Sequence, residues 1–338
     1  MNYLDIAIDI GTSNTRLFVA GEGIVLNEPT LLAFNNNNAK KILAFGKQAK
    51  YMLGKTPKDV TLVAPVAKGV IVDGTRVTML LKEFFNKIFG SKIPSKIRAL
   101  VAIPIGLSIE ERHIYESVIH NVHRSIKQVT LIENVLLSGI GAGLSIDHPA
   151  GGIIVNIGGG ITEIATLSMA SILGGCGLAI GGDKIDELII ETIERKNGIT
   201  IGLATAQKVK KEIASLHKNN ITFRQVDGVE TKDTKDKTIT SAIVKAIDIY
   251  EATYLEFSRI AVSLEQILNL CPLDAVGELN KRGVYIMGGT SRIEGLAGFM
   301  TRKLDIKCFV LSYPEYTAIK GAGKLLANPE LMNKVLQR

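Results

Sequence analysis

Apolar and polar positions alternate in two ways along the chain, and the two ways interleave. Leu4 to Ile10 is an apolar, β-branched run that stops at a Gly-Thr turn, and Thr15 to Ala20 resumes it, which predicts a tight β-hairpin. Gly152 to Ile157, the turn Gly158-Gly159-Gly160 and Ile161 to Ser168 predict a second one. The segments Asp9-Ile10-Gly11-Thr12-Ser13-Asn14-Thr15 and Asn156-Ile157-Gly158-Gly159-Gly160-Ile161-Thr162 align as degenerate repeats 147 positions apart, counted from Gly11 to Gly158. Two related α/β halves follow from that spacing. Helical periodicity appears over Val77 to Phe89, Ser108 to Val122, Asp183 to Lys196, Ala204 to Leu216, Thr240 to Leu268, Ile293 to Leu304 and Tyr316 to Ala327. Ser108 has the position of an N-cap, with Glu110 and Glu111 in the first turn behind it. Strands are expected over Ile97 to Ile103 and Gly283 to Met287. Asn35 to Asn38 reads as an exposed turn, and Asn219 to Lys237 as a polar hairpin or loop. Strands alternating with helices give an α/β class.

Composition narrows the function classes. A chain of 338 residues that is 46% hydrophobic buries a substantial core and divides into two domains. The most hydrophobic stretch, Ser171 to Gly182, is interrupted by Gly174, Gly175 and Gly177, so no spanning helix is expected. The N-terminus lacks a basic region before its apolar run, which points to a cytoplasmic protein. Cys176, Cys271 and Cys308 are too scattered for a disulfide framework or a zinc site and read as buried thiols. The net charge of +7 would suit a polyanion, yet the lysines, locally dense at Lys208-Lys210-Lys211 and Lys232-Lys235-Lys237, have no interleaved aromatics, so nucleic acid is not an expected partner. His120 and His123 share a helical face without a third ligand, and the P-loop pattern is absent.

Each glycine turn presents backbone N–H groups with little side chain in the way, as a phosphate requires, and two facing turns can clamp a polyphosphate. Asp9 stands where a carboxylate can hold Mg²⁺ through water. Gly288-Gly289-Thr290 forms a third glycine motif after a strand.

The ordered set D-I-G-T-S-N-T, I-E-N, I-G-G-G-I-T-E, G-G-D-K-I-D and M-G-G-T-S-R-I-E-G-L resembles the actin, Hsp70 and hexokinase superfamily. Within it the chain is most similar to the MreB-type bacterial actins. Gly23 to Pro29, Leu53 to Pro57, Ile140 to Leu144 and Gly181-Gly182-Asp183 with Asp186 match MreB segments in the same order over nearly the whole chain. The resemblance implies an actin-like α/β fold of two related domains, each with a smaller subdomain, and ATP or ADP with Mg²⁺ in the cleft between them. Domain I would comprise residues 1–149 plus about 316–338, with a small subdomain at roughly 30–65. Domain II would comprise 150–315, with a small subdomain at roughly 183–240. Gly11, Thr12, Ser13, Asn14 and Thr15 would form one phosphate hairpin, and Gly158, Gly159, Gly160, Ile161 and Thr162 the other. Gly181, Gly182 and Asp183 would edge the phosphates, Asp183 also serving as a helix N-cap. Lys210 and Glu212 would flank ribose and base, and Gly288, Gly289, Thr290 and Arg292 the adenosine.

Four positions depart from the family pattern. Lys68 stands where MreB proteins carry Asp, Asn134-Val135 where they carry Glu-Pro, Asn156 where they carry Asp, and Ile161 where they carry Thr. Glu133 is the acid left nearest in sequence to the missing Glu. The expectation is a self-associating, ATP-binding cytoskeletal filament protein for cell shape or motility, with weak or absent ATPase. A small-molecule kinase or chaperone-like ATPase of the same superfamily is the alternative. Other cytoskeletal paralogues are possible partners. So is an anionic membrane surface, through Ile88-Phe89-Gly90 flanked by Lys87, Lys92 and Lys96; an N-terminal amphipathic helix is not expected, and the competing role for Phe89 is core packing. Leu331, Met332, Val335 and Leu336 fall at helical spacing and would cover domain I or meet another protein.

Overall fold

Two five-stranded sheets carry the molecule, and they have the same connectivity. In the first, β1 (Leu4–Ile10), β2 (Asn14–Val19) and β3 (Gly23–Pro29) form an antiparallel meander, and β1 also pairs in parallel with β4 (Ile97–Ile103), which pairs in parallel with β5 (Ile126–Glu133). The second repeats this with β6 (Gly152–Ile157), β7 (Thr162–Ser168), β8 (Ser171–Leu178), β9 (Val284–Met287) and β10 (Cys308–Val310). The orders β3-β2-β1-β4-β5 and β8-β7-β6-β9-β10 explain the duplicated glycine turn: each is the first hairpin of its own sheet. This computed structural model describes residues 3–36, 38–149, 151–230 and 238–337; the Lys232-Lys235-Lys237 cluster and Asn37 lie outside them.

The helices α1 (Lys47–Tyr51), α2 (Gly74–Phe89), α3 (Ile109–His120) and α4 (Asn134–Ala142) belong to the first half of the chain. Helices α5 (Gly182–Asn197), α6 (Leu203–Ile213), α7 (Ala246–Leu270), α8 (Leu273–Arg282) and α9 (Leu296–Leu304) belong to the second. The chain then closes with α10 (Thr317–Leu326) and α11 (Pro329–Leu336). Ser108 caps α3 as the spacing predicts, in a full capping box with Glu111. One core gathers Val77, Leu80, Phe84 and Phe85 of α2 and Tyr115 and Ile119 of α3 against the first sheet. Another packs α5, α6, α7 and α9 against the second. Between the sheets, Ala7, Leu100, Ile154, Ala165 and Leu167 close on α4 and α10.

Those two central helices meet backbone to backbone. A Cβ at Gly321 would lie 1.8 Å from the Leu137 carbonyl oxygen, and one at Gly141 would lie 1.9 Å from that of Thr317. Gly321→Ala is therefore expected to cost about 2 kcal/mol through overpacking, read as a shift in the urea unfolding midpoint.

Several expectations are corrected or sharpened by packing. The long helix starts at Ala246, not Thr240: Ile239–Lys245 is a strand, paired antiparallel with Phe223–Glu230, because its β-branched residues find a cross-strand partner in the segment expected to be a polar hairpin or loop, the hairpin being the alternative that this pairing favours. The glycines of Ser171 to Leu178 sit in a strand, where a Cβ at Gly175 would meet Ile105 at 2.5 Å. Asp183 lies in the first turn of α5, whose N-cap is Gly181. Ile88 and Phe89 pack against the first core, with Phe89 5.5 Å from Phe85 between ring centroids, so much of the apolar tip required for a membrane contact is spent inside. On α11, Val335 is fully buried and Leu331 and Met332 pack on the central core, while Leu336 stays exposed. Cys271 and Cys308 are buried free thiols and Cys176 is half-buried. Among the described residues no helix is long and apolar enough to cross a membrane, and no cluster of His, Cys, Asp and Glu has the makings of a metal site.

Candidate nucleotide cleft

The two glycine hairpins are built alike and face each other tip to tip. Gly11 N–H donates to the Asn14 carbonyl at 3.1 Å, and Gly158 N–H to the Ile161 carbonyl at 2.8 Å, so both turns close in the same register. A Cβ at Gly159 would fall 2.0 Å from Ser13 Oγ, and one at Gly160 would fall 2.6 Å from Thr12 Oγ1. Only glycine allows this approach. Among the described residues, the backbone N–H groups of Thr12, Ser13, Gly159 and Gly160 donate to no protein acceptor. A pair of turns with free N–H groups and no Cβ between them fits a phosphate chain.

The turns are braced from outside. Thr30 Oγ1 donates to the Gly11 carbonyl at 2.7 Å and contacts Thr15 Oγ1 at 3.0 Å, while Asn14 donates to Asn27. On the second hairpin, Thr290 Oγ1 donates to the Gly158 carbonyl at 2.7 Å, Gly182 N–H to the same carbonyl, and Asp183 N–H to that of Gly159. Thr162 Oγ1 donates to the Ile180 carbonyl. Gly288 adopts φ 86°, and a Cβ there would press on the Ile157 carbonyl at 2.3 Å, so the third glycine motif lies directly against the second hairpin. Arg292 is turned to Glu315, in a bidentate pair.

Lys210 reaches this group: its Nζ donates to the Gly182 carbonyl at 2.7 Å and to Asp186 Oδ2 at 2.8 Å. Burial pushes the carboxyls of Asp183 and Asp186 up, with the charge of Lys210 pulling them back. Asp186 Oδ1 is buried without a partner. Glu212, two residues further on α6, faces elsewhere and pairs with Arg224. Lys50 of α1 donates to Gln207 of α6 at 2.7 Å, joining the first half of the chain to the second.

Asp9, Glu133 and Glu163 are all engaged. Asp9 Oδ2 pairs with its cross-strand neighbour Arg16 at 2.9 Å. Glu133 accepts from Arg112 at 2.6 Å, and Asn134 points to neither. Asn134 Nδ2 instead donates to Glu163 Oε2 at 2.9 Å, joined there by Asn156 Nδ2 at 3.2 Å, while Ile105 N–H donates to Oε1 at 3.0 Å. Glu163 is fully buried, and burial pushes it up to about 7 against the pull of these three donors. Glu163 closes the I-G-G-G-I-T-E motif, though no site role is expected for it from the sequence. Its signal was an acid in an otherwise apolar and β-branched strand, Thr162 to Leu167, in which every residue is buried.

Comparison with known proteins agrees with this geometry. The family model described as MreB/Mbl protein matches residues 3–334. The chain is 32% identical over 328 residues to the cell shape-determining protein MreB of Escherichia coli strain K12, covering 95% of this chain and 93% of that one. To the cell shape-determining protein Mbl of Bacillus subtilis strain 168 it is 33% identical over 335 residues, covering 98% of both. Among solved structures it is similar to MreB5 of Spiroplasma citri bound to ADP, with TM-score 0.90 and 28% identity over 100% of this chain and 99% of that one. The MamK double helical filament, at TM-score 0.79 and 18% identity over 97% of this chain and 99% of that one, shares the fold.

Proposed function

The chain belongs to the MreB/Mbl family, and from that premise we propose that it is an ATP-binding actin-like subunit that polymerises into cytoskeletal filaments and hydrolyses ATP weakly. The observation that carries the nucleotide reading is the pair of apposed glycine turns with unused N–H groups. The similar MreB5 of Spiroplasma citri has been captured with ADP and with AMPPNP, and MamK as a filament, which supports the same reading here. The names of the MreB and Mbl relatives support a part in determining cell shape.

On this reading residues 1–149 and about 316–338 form one domain and 150–315 the other. Thr12, Ser13, Gly159 and Gly160 hold phosphates by their unused N–H groups, and Gly182, Lys210, Gly288 and Thr290 border the nucleoside side. Asp9 is the residue to hold Mg²⁺ through water, and the ion when bound would neutralise phosphate charge. Hydrolysis needs an acceptor for the proton of the attacking water. Ile161 offers none, Asn134 donates to Glu163, and Glu133 is committed to Arg112. Slow turnover follows.

The test is sedimentation alongside phosphate release with ATP and Mg²⁺. The wild type should pellet as filaments while releasing little phosphate; Gly159→Ala, which forces the hairpins apart, should weaken ATP binding about tenfold or more with circular dichroism unchanged. Brisk turnover without polymer would replace this reading by that of an enzyme of the wider superfamily.

A further inference from the structure

Lys68 sits at the junction of both hairpins. Val66–Ala67 and Val70–Ile71 pair as a minimal antiparallel ribbon, and Lys68 and Gly69 turn between them with φ 49° and 83°. Two consecutive positive φ values mark a type I′ turn, whose first position ordinarily goes to Asn, Asp or Gly, since another side chain costs about 1 kcal/mol there. The turn is held on three sides. Gly69 N–H donates to Thr12 Oγ1 at 3.0 Å, buried Tyr115 donates to the Gly69 carbonyl at 3.2 Å, and a Cβ at Gly69 would strike Ile161 at 2.7 Å. A Cβ at Gly160 would lie 2.9 Å from Lys68 N. The backbone of Lys68 is therefore fixed between Thr12 and Gly160, whose N–H groups are unused.

The side chain itself is exposed and joins no ion pair among the described residues. The acids around it are already answered: Asp9 by Arg16, Glu133 by Arg112, Glu163 by three N–H donors. A cation on a flexible stem, held where both turns end and lacking a carboxylate, is set for an incoming anion. Direction follows from the neighbours. Gly182 and Thr290 lie against Gly158, on the side of Lys210 and Gly288, while Lys68 lies against Gly160. A nucleotide with its nucleoside on the first side carries its terminal phosphate to the second.

We infer that Lys68 is the recognition group for the terminal phosphate of a nucleoside triphosphate, supplying from the chain a positive charge that favours ATP over ADP even when divalent cations are removed. This rests on the nucleotide reading above. It makes Lys68 a specificity residue, whatever the rate of hydrolysis.

Calorimetric titration with ATP and with ADP, each in Mg²⁺ and in EDTA, tests it. In EDTA the wild type should prefer ATP by about tenfold or more, the worth of one charge-assisted hydrogen bond. Lys68→Asn, neutral and at ease at positive φ, should bring the ATP:ADP affinity ratio in EDTA to about one while leaving ADP affinity within about threefold; Lys68→Arg should keep the preference. An ATP:ADP ratio unchanged by Lys68→Asn, or a wild type without preference in EDTA, overturns the assignment while leaving nucleotide binding intact. Failure of the wild type to bind either nucleotide in any condition removes the nucleotide reading, and this inference with it.

Discussion

Lys68→Asp combined with Asn134→Glu is expected to raise the single-turnover rate of phosphate release from saturating MgATP by about 10²-fold, the low end of what a general base contributes. The geometry says why the second change matters more. Asn134 Nδ2 stands 2.9 Å from Glu163 Oε2, so a carboxyl introduced at 134 would face a second carboxyl at hydrogen-bond distance. Two such groups share one proton. Glu163, already raised by burial, keeps that proton, and the new carboxylate stays ionised and able to accept from water. Lys68→Asp alone should change the rate little, since it supplies charge next to the hairpins but leaves Asn134 a donor. A double variant that folds, binds ATP and still turns over at the wild-type rate would show that the missing acids are not what limits hydrolysis.

The second large effect is on stability. Glu163 has its ordinary value near 4.5 when unfolded and about 7 when folded. Between those values the folded chain holds a proton that the unfolded chain has released, so stability falls as pH rises. The contribution is whole below about pH 4.5, is lost through the window up to about pH 7, and amounts to about 3 kcal/mol at roughly 1.4 kcal/mol per pH unit. Glu163→Gln carries no titrating group, so the wild-type-minus-variant difference in unfolding free energy, measured from about pH 5 to about pH 8, should slope against the wild type and level off above 7. A flat difference would mean that the three donors hold the carboxylate ionised throughout. The protonated form also has its acceptor at hand: Asn134 Oδ1 is buried without a partner, and turning the amide over presents it to the acid.

Much of this was legible from residue order. The hairpins read correctly because Leu4 to Ile10 and Gly152 to Ile157 are apolar, β-branched and stopped by glycine, which is a local statement about backbone freedom. The Ser108 cap read correctly for the same reason. Ile239–Lys245 did not, because a β-branched run next to a helix takes its form from whether a partner strand exists, and the polar composition around Phe223–Glu230 leaves hairpin and loop equally open when taken alone. Glu212 and Lys210, two apart on one helix, read as companions, yet the helix sends one to Arg224 and the other to Gly182.

By itself the sequence determined the α/β class, the repeated glycine turn and the family, since each is a property of residue type and spacing. Tertiary structure alone decided that the two turns meet tip to tip, that Asn134 and Asn156 converge with Ile105 on one buried carboxylate, and that Lys68, where the hairpins end, joins no ion pair among the described residues. Apart from Asn156 and Glu163, cross-strand neighbours in one hairpin, those are juxtapositions of segments tens to more than a hundred residues apart. They arise from the stacking of two sheets on a shared layer, and side-chain packing at that distance leaves no periodic trace in the chain.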